Sequence, residues 1–166
     1  CIDPLSVEKC ISSHTRAIMA VDICGHSADI DSLREIATRH HLKLISDTAQ
    51  APGAIYKGRL AGTLSDIGGY SLNYHKHIHT GEGGVMVTND DSLAERMRLI
   101  RNHAEAVVGP KGVEDISNMI GYNFRLGEIE SAIGIEQLKK LNGFVHKKQQ
   151  AAARLNAGLQ GLRGLT

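Results

Sequence analysis

The residues from Ala17 to Ser46, AIMAVDICGHSADIDSLREIATRHHLKLIS, decide the fold class. Ala17 to Ile23 form a mostly apolar run after polar residues, which predicts a strand buried on both faces. A turn follows, and Asp29 or Asp31 can cap a helix with one apolar face. A second strand is predicted over residues 42–46. A strand, a helix and a strand within about 30 residues predict a βαβ unit with parallel strands, and therefore an α/β protein. The helix face consists of Leu33, Ile36, Ala37 and His40.

Polar residues follow the predicted strands at the points where ligands usually bind. In open α/β sheets, ligands lie beyond the carboxyl ends of the strands. Asp47 and Gln50 come directly after the second strand, and Ser71 ends a predicted strand over residues 67–71. The glycines of that strand would let a ligand or another backbone approach closely. These side chains are therefore candidate binding residues.

The remaining elements are predicted from periodicity and helix signals. A strand is expected over residues 84–88, and Ser92 with Glu95 forms a capping box that opens a helix to about His103. Residues 104–121 are predicted to be a loop. A helix is expected over residues 126–141, which Gly143 would kink or break. The helical run after it has an apolar stripe that needs a partner, either a further domain or another subunit. The stripe consists of Ala152, Leu155, Leu159 and Leu162.

Composition excludes several classes of function. The chain has 166 residues, 42% of them hydrophobic and 22% charged, with a net charge of +1. These values are typical of a globular domain and offer no electrostatic attraction to nucleic acid or to an anionic membrane. No apolar run approaches the length of a membrane-spanning helix. Three cysteines without C-x-x-C spacing predict reduced, buried thiols in a cytoplasmic protein. They are Cys1, Cys10 and Cys24.

A single lysine, Lys76, lies between Ser71 and a glycine-rich segment over residues 81–84, with three histidines around it. A lysine among cationic groups in a partly desolvated pocket can act as an amine nucleophile. Asp47 could supply the carboxylate that keeps the ring nitrogen of a pyridoxal cofactor protonated. Gln50 could reach a ring substituent, and Ser71 could bind the cofactor phosphate. The residues alone leave the other interpretation open, in which Asp47 caps a helix and Lys76 lies on a solvated loop.

Segments along nearly the whole chain resemble motifs of the sugar aminotransferases of the DegT/DnrJ/EryC1/StrS family, with spacing preserved. Ala104 lies where that family usually has glycine. The matching segments are SDTAQA (46–51; E-D-A-A-Q-A in the family), YKGR (56–59) with SDIG (65–68; GDIG in the family), SLNYHKHIHTGEGG (71–84; S-F-x-x-x-K-x-x-x-x-G-E-G-G), VTND (87–90), LIRNHA (99–104; L-R-N-H-G) and GYNFR (121–125; G-x-N-x-R).

The resemblance implies a three-layer α/β sandwich with a mixed, mostly parallel sheet, part of an aspartate-aminotransferase-like large domain. It implies that pyridoxal 5′-phosphate is the cofactor and that Lys76 forms a Schiff base with it. Asp47 would pair with the pyridinium nitrogen, Gln50 with the ring or its hydroxyl, and Ser71 with the phosphate. Asn123 would reach the phosphate in a neighbouring subunit, which implies a homodimer with a shared active site. The implied reaction moves an amino group from glutamate to a nucleotide-linked keto sugar.

Comparison with the family's motifs also predicts a fragment. The N-terminal part of the family and most of its small C-terminal domain have no counterpart here. We therefore interpret residues 1–141 as a partial cofactor-binding large domain and residues 142–166 as a helix leading towards the small domain. We expect weak cofactor binding and little or no transaminase activity from this chain alone. Some relatives carry histidine in place of the lysine and are dehydratases, whereas Lys76 keeps the lysine register and favours amino transfer.

Two other classes of function compete with this interpretation. A non-catalytic binding or regulatory module could keep the same fold without turnover. His75, His77 and His79 alternate, and on an extended segment they would share one face, as in a metal-dependent hydrolase. No cysteine or paired carboxylate completes a metal site near them, so we predict no metal and assign the histidines to the walls of the pocket.

Overall fold

The structure, a computed structural model, describes residues 1–104 and 119–164. The predicted loop over residues 104–121 lies largely outside these residues. Within the described residues, the elements are α1 (Pro4–Cys10), β1 (Ala17–Val21), a single 3₁₀ turn (Ile23–Gly25), α2 (Ile30–Arg39), β2 (Lys43–Asp47), β3 (Ile55–Tyr56), β4 (Arg59–Leu60), β5 (Ile67–Ser71), β6 (Gly84–Val87), α3 (Asp91–Arg101), α4 (Glu128–Leu138) and α5 (Leu141–Leu159).

Four of the strands form one mixed sheet in the order β1-β2-β5-β6. β1, β2 and β5 run parallel to one another, and β6 runs antiparallel to β5. The predicted parallel βαβ unit is therefore confirmed. β3 and β4, of two residues each, form a separate hairpin. Its turn consists of Lys57 and Gly58, both with positive φ. This turn is the type that matches the twist of hairpin strands.

The sheet has one covered face and one open face. On the covered face, Ile18, Ala20 and Leu44 are buried against α2. The open face carries Met19 and Met86, which remain 59% and 56% exposed. The prediction that the first strand is buried on both faces is therefore wrong, since its burial alternates residue by residue. The alternation arises because the packed residues of α2 lie on one side of the sheet only.

Capping side chains fix the starts of α1, α2 and α3. Asp29 caps α2, and its carboxylate accepts a hydrogen bond from the backbone N–H of Ser32. Leu33 on the predicted helix face is fully buried, whereas His40 caps the C-terminus and is exposed. Asp90, and not Ser92, caps α3. The predicted capping box is wrong because the Asp90 carboxylate accepts from the backbone N–H of Ser92 at 2.8 Å and so takes the capping position.

The C-terminal helices differ from the prediction in where they are interrupted. The break falls between α4 and α5, and Gly143 lies inside α5. α5 ends at Leu159, so Leu162 of the predicted stripe lies beyond it, and Leu155 is 61% exposed. Among the described helices, none combines the length and apolar character needed to cross a membrane. The three cysteines are free thiols, but all are exposed, so the prediction that they are buried is wrong.

Candidate active site

Asp47 and Ser71 lie at the carboxyl ends of two neighbouring parallel strands, on the open face. Asp47 is the last residue of β2 and pairs with Gly69 of β5. Ser71 is the last residue of β5, two residues beyond Gly69. Because side chains alternate along a strand, Gly69 and Ser71 share a face with Asp47. The fold therefore brings together the carboxylate and the hydroxyl that the sequence predicted as binding groups.

Asp47 has one carboxylate oxygen engaged and pairs across the strands with a glycine. Its Oδ1 accepts a hydrogen bond from the backbone N–H of Ala49 at 3.0 Å, and the side chain is half-buried. Gly69, its neighbour across the strands, carries no side chain. A Cβ there would lie 3.3 Å from the sulfur of Met86. The flexible Met86 side chain thus lies over Gly69, and it can move aside for a flat ring.

Gln50 joins two loops at this edge of the sheet. Its Oε1 accepts a hydrogen bond from the backbone N–H of Cys24 at 3.2 Å. Cys24 lies in the 3₁₀ turn after β1 with φ of 54°, a left-handed conformation that is uncommon for a residue other than glycine. With its carbonyl oxygen engaged, Gln50 has its NH₂ group left to donate to a ligand.

Lys76 lies in a short closed loop, residues 72–80, that follows Ser71 directly. The backbone N–H of Thr80 donates to the carbonyl of Leu72 at 3.0 Å, which closes the loop. The Lys76 N–H donates to the carbonyl of Asn73 at 2.9 Å, and its side chain is half-buried. The hydroxyl of Ser71 accepts from the N–H of Asn73 at 3.2 Å and keeps its own proton for another acceptor.

The three histidines of this loop have different surroundings. The ring of His75 packs on Tyr74, with centroids 3.8 Å apart, and the Nδ1 of His79 accepts from the N–H of Gly81. Burial, followed by the charges of Lys148 and Lys76, lowers the pKa of His77 below its ordinary value. Residues 73–78 form turns and bends rather than an extended strand, so the shared face that a metal site required is not formed. Over residues 1–104 and 119–164, no group of three or more potential ligands could hold a metal ion.

Asn123 lies on a separate, exposed segment. It forms an isolated bridge with Asn102 at the end of α3, and Arg125 donates to the side-chain oxygen of Asn102 at 2.8 Å. The segment then passes close to the glycine-rich turn, where a Cβ on Gly83 would come within 3.0 Å of Leu126. Asn123 itself therefore faces solvent within this chain.

Sequence reasoning missed two groups near these residues. Asp22 and Thr48 are fully buried and bonded to each other directly under the strand ends. The strand pattern could have revealed Asp22, because it continues the buried alternation of Ile18 and Ala20. Lys148 of α5 is the second group, and the sequence contains no signal that would connect it with the loop of His77.

A parallel-sheet edge with a carboxylate, a hydroxyl and a nearby lysine defines a class of α/β protein that can hold an aldehyde cofactor with a ring nitrogen and a phosphate. Over residues 1–166 the chain matches the DegT/DnrJ/EryC1/StrS aminotransferase family, and it belongs to that family.

Individual relatives agree with this assignment. The chain is 39% identical over 165 residues to the dTDP-3-amino-3,4,6-trideoxy-alpha-D-glucose transaminase of Streptomyces venezuelae, covering 99% of this chain and 42% of the relative. The structure of this chain is similar to the crystal structure of S. venezuelae DesV in complex with a ketimine intermediate, with a TM-score of 0.88 and 39% sequence identity. The match covers 98% of this chain and 43% of DesV.

A solved dehydratase is also similar. The E. coli GDP-4-keto-6-deoxy-D-mannose-3-dehydratase with bound hydrated PLP has a TM-score of 0.84 and 30% identity, covering 96% of this chain and 44% of the dehydratase. The chain thus spans about two fifths of the length of these relatives. The structural matches confirm the predicted α/β fold.

Pyridoxal 5′-phosphate is the cofactor of this family, and the groups at the strand ends fit it. Asp47 offers the carboxylate oxygen that Ala49 does not use, Ser71 offers a hydroxyl proton, and Lys76 offers an amine. The flexible Met86 side chain over Gly69 can make room for a flat ring. The chemistry of the donor set therefore agrees with the ring, the phosphate and the aldehyde of the cofactor.

Proposed function

We propose that this chain is the lysine-bearing part of a pyridoxal-phosphate-dependent aminotransferase that acts on a keto sugar, linked to a nucleotide, with glutamate as amino donor. One observation carries the proposal. Asp47 and Ser71 end adjacent parallel strands on one face, and Lys76 follows Ser71 in a closed loop. Three chemically different groups are thus offered to the three functional parts of one cofactor.

When bound, pyridoxal phosphate supplies an aldehyde for the amino group and a ring that withdraws electrons from the substrate carbon. Lys76 would hold the aldehyde through Nζ, and the same amine would take and return the proton on the substrate carbon. Asp47 would keep the proton on the ring nitrogen through a charge-assisted hydrogen bond. Gln50 would donate its NH₂ group to the ring hydroxyl, and Ser71 would donate its hydroxyl to the phosphate.

The proposal includes a homodimer in which Asn123 reaches the phosphate in the neighbouring subunit. Its exposed position supports this role, as do the two exposed aromatic side chains that flank it, Tyr122 at 51% and Phe124 at 64%, whose rings stack with centroids 4.9 Å apart. Large exposed apolar side chains that lie together favour association with another protein surface. The proposed division leaves residues 1–141 as the cofactor-binding part and residues 142–166 as the connection to a small domain. The three free thiols favour the cytoplasm as its location.

A sugar dehydratase is the second candidate, favoured by the similarity to the solved E. coli enzyme. Both reactions would begin with the same cofactor on the same carboxylate. The presence of an amine at residue 76 favours amino transfer, since a lysine can hold the aldehyde covalently and an imidazole cannot form that bond as a stable attachment.

Covalent capture of the cofactor tests the proposal. The chain is incubated with pyridoxal phosphate, reduced with borohydride, digested and analysed by mass spectrometry. We expect the added mass on Lys76 and not on Lys43, which is exposed on β2. Lys76→Ala should remove the adduct, and the matched control Lys43→Ala should retain it. Glutamate added before borohydride should reduce the labelling of Lys76.

Specific outcomes would contradict the proposal. Equal labelling of Lys43 and Lys76 would mean that the cofactor reacts with any exposed amine, and an unlabelled Lys76 would leave the non-catalytic module as the better interpretation. Because little turnover is expected from this chain alone, the two enzymes are separated with the longer protein that the resemblance implies. That protein is given cofactor, glutamate and a nucleotide-linked 4-keto sugar, and the sugar is examined by mass spectrometry. A gain of nitrogen supports amino transfer, whereas loss of water without nitrogen supports the dehydratase.

A further inference from the structure

Asp22 is a fully buried carboxylate that the proposed chemistry does not use. It follows β1 directly, on the covered face, and its side chain is 0% exposed. Burying a carboxylate is costly unless hydrogen bonds satisfy its oxygens. A buried acid beneath a binding edge therefore requires either a structural or a functional reason.

Both oxygens of Asp22 accept hydrogen bonds from defined donors. Oδ1 accepts from the backbone N–H of Ala28 at 2.9 Å, and Oδ2 accepts from the hydroxyl of Thr48 at 2.7 Å. Thr48 is likewise fully buried. The family motif E-D-A-A-Q-A has alanine where this chain has Thr48, so the hydroxyl is a departure of this chain from that pattern.

The backbones of the same two residues hold the ends of the strands. The N–H of Asp22 donates to the carbonyl of Asp47 at 2.9 Å, and the N–H of Thr48 donates to the carbonyl of Gly69 at 2.8 Å. Both bonds are made by the single peptide unit that joins Asp47 to Thr48, which is thus tied to β1 and to β5. The Asp22–Thr48 bond closes this set of contacts through side chains, under the residue that faces the candidate site.

Glycine makes the packing under the strand ends possible. Gly62 has φ of 84°, and a Cβ there would come within 2.7 Å of the Thr48 hydroxyl oxygen and 2.6 Å of the Tyr70 hydroxyl oxygen. Tyr70 donates to the carbonyl of Ala61 at 2.6 Å. Thr48 is therefore packed closely against Gly62, with its hydroxyl directed to Asp22.

We propose that Asp22, acting through Thr48, is a positioning residue that orients the Asp47 carboxylate towards the cofactor ring nitrogen. This inference rests on the proposed function, in which Asp47 pairs with that nitrogen. A hydrogen bond to a charged partner depends steeply on distance and angle. Fixing the peptide unit that follows Asp47 holds its carboxylate in one direction before the cofactor binds, which lowers the cost of binding.

A cofactor analogue that lacks the ring nitrogen separates positioning from general stability. We compare the binding of pyridoxal phosphate with that of its 1-deaza analogue, using fluorescence titration of the 166-residue chain. The wild type should prefer pyridoxal phosphate by about tenfold or more, as expected for one charge-assisted hydrogen bond. Asp47→Asn should remove this preference.

The isosteric changes Asp22→Asn and Thr48→Val test the inference. Each should reduce the preference to about threefold or less while affinity for the deaza analogue stays within about twofold of the wild type, since only the bond to the nitrogen depends on orientation. The control Thr63→Val should keep the full preference, because the Thr63 hydroxyl donates to the carbonyl of Leu60 at an exposed turn. If Asp22→Asn fails to fold, the ligand preference of Thr48→Val alone tests the inference.

The outcomes distinguish the two proposals. A full preference in both folded variants overturns the positioning role and leaves the proposed function intact. Equal losses for both ligands also overturn it, because they indicate a merely structural role. If the wild type binds neither ligand, or binds both equally, then the role of Asp47 in the proposed function fails and the positioning role fails with it.

Discussion

The two faces of the central sheet serve different purposes. On the covered face, Leu44 is fully buried, and the buried acid Asp22 has a donor for each oxygen. On the open face, Met19 is 59% exposed, and Asp47 keeps one carboxylate oxygen without a donor among the described residues. The same strands contribute to both faces because side chains alternate along each strand. Stability thus comes mainly from one face, while the groups available for chemistry lie on the other.

Two adjacent glycines of β5 show the contrast within two residues. Neither has a positive φ, so an added methyl group would act by contact alone. On the covered face, a Cβ at Gly68 would lie 1.8 Å from the carbonyl oxygen of Gly62, whereas at Gly69 it would meet the sulfur of Met86 at 3.3 Å. A backbone oxygen cannot move aside easily, but a methionine side chain can.

The largest effect is therefore expected from Gly68→Ala. It should lower the free energy of unfolding by about 3 kcal/mol or more, at the upper end for overpacking. Gly69→Ala should change it by less than about 1 kcal/mol, since Met86 can adopt another rotamer. Urea denaturation followed by circular dichroism measures both. Equal losses in the two variants would show that the faces do not differ in packing.

An intermediate effect is expected from truncating one apolar side chain on each face. Leu44→Ala should cost about 2–5 kcal/mol of unfolding free energy, because it opens a cavity in the core against α2. Met19→Ala, the matched variant on the neighbouring strand, should cost less than about 1 kcal/mol, since that side chain is mostly in solvent. Thermal and urea unfolding check the pair. A large loss at Met19 would mean that the open face is covered in solution.

The smallest effect concerns the charges near His77. Because burial, Lys148 and Lys76 lower its pKa, His77 stabilises the fold above its unfolded pKa, and that stability is lost as the pH falls through the folded value. Lys148→Gln should therefore raise the pKa of His77 and make stability less sensitive to acid. NMR titration of the imidazole measures the shift. Lys147→Gln is the control, and an equal shift there would show that Lys148 has no specific effect.

Much of the fold could be predicted from local patterns. The βαβ unit followed from an apolar run, a helix with Leu33, Ile36 and Ala37 on one face, and a second strand, because burying an apolar face imposes those periods. Asp47 and Ser71 could be predicted as site residues because strand ends are where ligands bind in such sheets. The role of Lys76 could be predicted only from the resemblance to a family, since a lysine on a loop has no distinguishing local pattern.

The predictions of helix boundaries were wrong where several residues could each start or interrupt a helix. Ser92 and Asp90 could both cap α3, and the Asp90 carboxylate takes the position by accepting from the N–H groups of Ser92 and Leu93. Gly143 suggested a break, yet α5 runs through it because the chain has already turned after Leu138. Propensity is a weak guide to an exact boundary.

The sequence by itself determined the order of the elements, the parallel sheet and the polar groups at its carboxyl edge, because each follows from periodicity or from a short motif. Only the tertiary structure decided that β1 is covered on one face, that Asp22 bonds to Thr48, and that Lys148 influences His77. Asp22 and Thr48 are 26 residues apart in the sequence. Lys148 lies on α5, whereas His77 lies on the loop after β5. Such contacts depend on packing between distant segments, which no local pattern encodes.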